Sequence, residues 1–172
     1  MIAEQHARQV RDRHRVSIPA DTWRVADECE AVVVAERFPA RLCAEAAFLD
    51  YPLIVLNCGL GRAERRYVLA HELFHYLCEP RSYRAALHRG DVRRWQSEAR
   101  ARAFADQLVM PDQEMEIAVR EGWSAEQMLL EFGVTEERLA RRWARFVEQG
   151  GRAVGLPMLG RAERLAECLA AA

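Results

Sequence analysis

Lysine is absent from this 172-residue chain, and all 25 of its basic residues are arginine. Nothing in the physics of one protein excludes lysine, so this reads as genomic base bias. The cysteines are few and scattered: five positions, Cys29, Cys43, Cys58, Cys78 and Cys168, with no C-x-x-C pair. That argues against both a disulfide framework and a thiolate zinc cage, and leaves buried free thiols as the expectation. No apolar run approaches the roughly 20 residues a membrane-spanning helix needs, and "MIAEQHARQVRDRH" has no apolar signal-peptide core. The expected setting is the cytoplasm, away from membranes. A net charge of -1 argues against a whole-domain electrostatic footprint for nucleic acid.

What is present fits one α+β domain with an appendage. Apolar residues at 51% and charged residues at 30% are ordinary for a globular protein of a length that can bury its own core. Residues 2 to about 14 suggest a helix, and Pro19 with Asp21 or Thr22 as a cap opens a second. "AVVVAERF", "ARLCAEAAFLD" and "YPLIVLN" then suggest a meander of three short strands. A helix is expected from about Arg62 to Glu79, stopped by Pro80, and another from about Arg94 to Val109. Between them lies an arginine-rich loop that could border a cleft and attract an acidic substrate segment. Further on, "SAEQMLLEFGVTEERLARRW" suggests a helical hairpin: Ser124 and Gln127 have capping-box spacing, Gly133 suits a C-terminal cap, and Thr135 can cap the next helix.

The chemistry concentrates in "RRYVLAHELFHYL", residues 65 to 77. His71, Glu72 and His75 form H-E-x-x-H, a match expected on the order of 0.02 times by chance, given the 5 histidines here. Four-residue spacing puts both imidazoles on one helix face, about 5 to 6 Å apart at Cβ, within reach of one metal ion. Glu72 projects about 100° round the helix, where it can take a proton from water without ligating. The alternative is a pair of core histidines bonded to carbonyls, which would need several buried partners. A catalytic zinc site needs a third protein ligand, and the candidates are Glu79, His88, Asp91, Glu98 and Asp106. Glu98 is the strongest, because it shares a helix face with Ala101, Ala105 and Leu108 that another helix can approach closely.

With those segments together, "LIVLN", "RRYVLAHELFHYL", "EARARAFADQLVMP" and "FGVTEERLARRW", the chain resembles the ImmA/IrrE family of metallopeptidases. The resemblance implies a zincin-like fold, with a small three-stranded sheet packed on a central HExxH helix and a helical C-terminal half. It implies a Zn²⁺ ion held by His71, His75 and Glu98, with Glu72 as general base. It also implies a site-specific endopeptidase that cuts a helix-turn-helix repressor and so derepresses mobile-element or stress genes. One departure is Arg102, where the family usually has asparagine; a cation there could brace Glu98 or compete with the metal. The expected organisation is a metallopeptidase domain over 1–111, a helical extension over 112–148, and a flexible tail over 149–172 with a possible terminal helix. Arg138, Arg141, Arg142 and Arg145 could contact phosphates, but a packed hairpin with a solvated basic face is the simpler expectation, and direct DNA binding is not expected. A non-enzymatic module that binds a repressor or DNA is the competing functional reading.

Overall fold

A computed structural model describes residues 2–37, 44–48, 52–78 and 92–150. In chain order these form α1 (Ile2–His14), α2 (Thr22–Glu28), β1 (Val32–Glu36), β2 (Ala44–Phe48), β3 (Pro52–Asn57) and α3 (Arg62–Cys78). Then follow α4 (Val92–Val109), α5 (Asp112–Glu121), α6 (Ala125–Phe132) and α7 (Glu136–Glu148). The fold is mixed α and β and mostly helical. Glu79, Pro80, the arginine-rich loop and the tail beyond Gly150 lie outside the described residues. No described helix is long and apolar enough to cross a membrane.

The strands do not form a meander. Their order is β1-β3-β2, with β1 parallel to β3 and β2 antiparallel to it. The physical reason lies in β3, where Ile54 and Leu56 are fully buried while β1 carries the half-exposed Val32. A strand that buries its side chains so deeply gains most from having neighbours on both edges, which also pair its backbone polar groups. β2 and β3 both pack against α3, which further contacts α2 and lies along α4.

α3 is the centre of the core. Tyr67, Val68, Leu69, Ala70, Leu73 and Phe74 are buried on it, and so are the polar Glu72 and His75. Its partner α4 contributes Ala101, Phe104, Ala105 and Leu108, all with no exposed surface. Small residues on that face let the two axes approach closely, and the Phe74 and Phe104 rings meet at 5.7 Å.

The C-terminal helices follow local signals. Ser124 and Gln127 make a complete capping box, and Gly133 ends α6 in the left-handed region at φ 60. A side chain at Gly133 would also displace the Arg66 guanidinium, which donates to the Gly133 carbonyl. Thr135 holds the N-cap position of α7, yet its hydroxyl makes no capping bond. Asp21, in contrast, caps α2 by accepting the Arg24 N–H at 3.1 Å.

The basic face of α7 is not a solvated one. Arg142, only 2% exposed, donates from Nε to the Met110 carbonyl at 3.0 Å and pairs with Asp112. Arg145 pairs with Asp106 at 2.8 Å, and Arg138 pairs with Glu64 at 2.5 Å while lying 4.2 Å from the centre of the Tyr67 ring. Arg141 pairs within its own helix, with Glu137 one turn away. Three of the four arginines therefore clamp α7 onto α3, α4 and α5. The thiols also differ from expectation: Cys58 is exposed and Cys29 and Cys78 are half-buried, so none of the three described cysteines is fully buried.

Candidate metal centre

Along the α3–α4 contact the two helices run antiparallel, and their facing side chains form successive rungs. Tyr67 Oη donates to Asp106 Oδ1 at 2.7 Å, and one and two turns further along α3 the imidazoles of His71 and His75 meet Glu98. His71 Nε2 lies 3.2 Å from Glu98 Oε2, and His75 Nε2 lies 3.8 Å from Glu98 Oε1. One donor atom from each of His71, His75 and Glu98 falls within 4.8 Å of the others. Donors bound tetrahedrally to zinc at about 2.0 to 2.1 Å stand roughly 3.3 Å apart, so the spacing of these three suits a single ion. Two imidazoles and one carboxylate are also a donor set zinc favours.

The surroundings fix these groups unequally. His75 has no exposed surface, and its ring packs edge-on to Phe74 at 5.7 Å and to His71 at 5.2 Å. Its Nδ1 lies 3.4 Å from Ser97 Oγ, so a proton on Nδ1 can be donated to the hydroxyl while Nε2 faces Glu98 with its lone pair. His71 is less enclosed, with its side chain 17% exposed, and Glu98 is 34% exposed. The centre thus has a sealed side at His75 and an accessible side at His71 and Glu98. Glu72, 6% exposed, projects from α3 between the two histidines in sequence.

The hydrogen bond to His71 holds the Glu98 carboxyl below the usual carboxylate range; burial opposes this, and the charges of His71, His75 and Arg102 assist it. Arg102 does not reach across to the carboxylate as a hydrogen-bond donor. Its Nε donates instead to the Glu98 main-chain carbonyl at 3.1 Å, which turns the guanidinium back along α4. It braces the backbone that carries Glu98.

Of the two third-ligand candidates among the described residues, Glu98 and Asp106, Glu98 is the one brought to the histidines. Asp106 is 5% exposed and belongs to the rung with Tyr67 and Arg145. Burial pushes its carboxyl upward, against the lowering effect of Arg145 and Tyr67. Glu79, His88 and Asp91 lie outside the described residues. Sequence reasoning missed Ser97 and the Tyr67–Asp106 rung. Ser97 directly precedes Glu98, but nothing in a serine's neighbours along the chain says that it will face an imidazole 22 residues away.

Two histidines one helical turn apart and a carboxylate from a neighbouring helix, with a buried glutamate after the first histidine, form a donor set that could hold one metal ion. Residues 26–144 match the Peptidase_M78 family model, described as the IrrE N-terminal-like domain, and the chain belongs to that family. A search of curated proteins finds no match. Among solved structures, a Mycobacterium tuberculosis transcriptional regulator is similar in fold, with a TM-score of 0.66 at 15% identity. The similarity covers 84% of this chain and 47% of that one, so this chain spans about half the length of its structural neighbour.

Proposed function

We propose that this protein is a zinc-dependent, site-specific endopeptidase of zincin-like fold, with residues 1–111 as the catalytic unit and 112–148 as its helical extension. The observation that carries the reading is the convergence of His71, His75 and Glu98 donor atoms within 4.8 Å, in a chain that belongs to a peptidase family. These three residues would hold the ion. When bound, zinc supplies a Lewis acid that polarises the scissile carbonyl and lowers the pKa of water towards about 7. Ser97 fixes the tautomer of His75, and the packing of α3 against α4 sets the distance between the histidines and Glu98. Glu72 accepts a proton from the attacking water and returns it to the leaving amine. Its burial, with only 6% of its surface exposed, holds the side chain in a fixed position on α3 beside the histidines.

The substrate we propose is a helix-turn-helix transcriptional repressor, whose cutting would release mobile-element or stress genes. The similar fold of a protein titled a transcriptional regulator supports a regulatory setting. It also favours the second reading, a non-catalytic module that binds a repressor or DNA. Incubating the protein with zinc and the helix-turn-helix protein encoded beside its gene separates the two. The enzyme reading expects discrete fragments, and expects Glu72→Gln to retain about one zinc per chain while cutting nothing. Binding of the repressor without fragments from either protein would establish the module instead.

A further inference from the structure

A second site lies at the other end of α3. Nine residues separate Arg62 from His71, about 13 Å along the helix, so this region is distinct from the histidine–glutamate centre. Here the first turns of α2 and α3 enclose a cleft of about 430 Å³ whose walls include Asp21, Thr22, Trp23, Arg62, Arg65 and Arg66. That volume is in the range of small-molecule sites.

Three features of the cleft point to an anionic ligand. First, it gathers three guanidinium groups against one carboxylate, Asp21, which already accepts the Arg24 N–H. Second, only one of the three is committed elsewhere. Arg66 donates to the Ala20 carbonyl at 2.9 Å and to the Gly133 carbonyl, and so is a fixed wall. The side chains of Arg62 and Arg65 make no ion pair or hydrogen bond with another described residue. Third, the Thr22 hydroxyl in the same wall is buried, the residue being 1% exposed, and has no hydrogen-bond partner among the described residues. A buried hydroxyl left in that state costs free energy that a ligand oxygen would recover. Trp23, 42% exposed, offers an apolar ring at the rim.

We propose that this cleft binds a small organic phosphate, its oxygens held by Arg62, Arg65 and Thr22 and its organic part lying against Trp23. Two guanidinium forks and a hydroxyl present more donors than the two oxygens of a carboxylate can absorb, whereas a phosphate monoester offers three. The rim tryptophan supplies what a bare inorganic ion would not use.

Titration calorimetry on the whole chain with AMP, inorganic phosphate and adenosine tests this. AMP should bind, phosphate more weakly, and adenosine not measurably. Removing Arg62 and Arg65 together should weaken AMP about tenfold or more for each guanidinium lost. Trp23→Leu should bring AMP down to the affinity of phosphate and leave phosphate itself unchanged. Thr22→Val should weaken both phosphates without lowering the thermal stability of the ligand-free protein, which sheds a buried unpartnered hydroxyl, and this separates lost binding from lost folding. None of these variants should alter zinc content. The proposal is overturned if neither phosphate compound binds at millimolar concentration, if AMP affinity survives loss of both arginines, or if adenosine binds as well as AMP.

Discussion

Replacing Tyr67 by phenylalanine deletes one oxygen from the rung that registers α3 against α4. The tyrosine is 4% exposed and its hydroxyl lies 2.7 Å from Asp106 Oδ1, while Arg145 serves the other carboxylate oxygen at 2.8 Å. Without the hydroxyl, a buried carboxylate oxygen loses a donor, at a cost of about 1 to 3 kcal/mol. The ring remains, so the contact with Arg138 at 4.2 Å and the apolar packing survive, and the change isolates the hydrogen bond. About 2 kcal/mol in a chain of this size corresponds to roughly 4 to 8 °C in Tm. The pH dependence carries its own sign. Burial raises the Asp106 carboxyl while Tyr67 lowers it, so losing Tyr67 raises it further. A raised carboxyl leaves stability intact below its unfolded pKa of about 3.9 and withdraws it as pH rises through the folded value. Urea denaturation should therefore show the Tyr67→Phe penalty growing as pH rises through the raised folded value of Asp106, and losing that pH dependence in an Asp106→Asn background, whose amide oxygen can still accept from Tyr67. A penalty under about 0.5 kcal/mol, or one indifferent to both pH and Asp106, would refute this account of the rung.

Other perturbations read the same geometry. Glu98→Ala should lower zinc affinity at least about a hundredfold in a competitive chelator titration, because it removes the carboxylate from the proposed set of His71, His75 and Glu98. Ser97→Ala should lower it about tenfold, at the weak end for a residue supporting a ligand, since the contact to His75 is long at 3.4 Å. Arg142→Met should destabilise by about 2 to 4 kcal/mol in thermal unfolding: the Met110 carbonyl loses its donor, although the partly exposed Asp112 keeps Arg8 at 2.9 Å. The Glu28 carboxyl is held low, first by its hydrogen bond to His14 and next by Arg24, so its stabilising effect is present above the unfolded pKa and lost as pH falls through the folded one. His14→Ala should move that carboxyl titration, followed by NMR, upward towards the ordinary glutamate value.

The features legible in the sequence are those that depend on near neighbours in the chain. His71, Glu72 and His75 sit on a continuous helix, so their relative placement follows from helical geometry once α3 is recognised. The Ser124–Gln127 capping box, the left-handed Gly133 and the Asp21 cap are equally local. Glu98 was reachable by a longer route, because an acidic residue on a face of alanines is costly unless something meets it. Features involving distant partners were not legible. The β1-β3-β2 order departs from a meander because the depth of burial on β3 is set by α3 and not by the strand's own residues. The arginines of α7 looked solvated because their partners, Glu64, Asp106, Met110 and Asp112, lie 30 to 74 residues away.

By itself, then, the sequence determined which helix carries the candidate metal-binding pair and where the helices of the C-terminal half begin and end. Hydrogen bonding over three or four residues and side-chain spacing on a helix are fixed by backbone geometry. The tertiary structure decided that Glu98 and not Asp106 meets the histidines, that Ser97 supports His75, that Arg102 turns back to its own helix, and that three guanidinium groups gather at the head of α3. Each of those depends on the register and approach of separate elements, which the packing of α3 against α4, the sheet and α7 sets jointly. No stretch of chain holds that information alone.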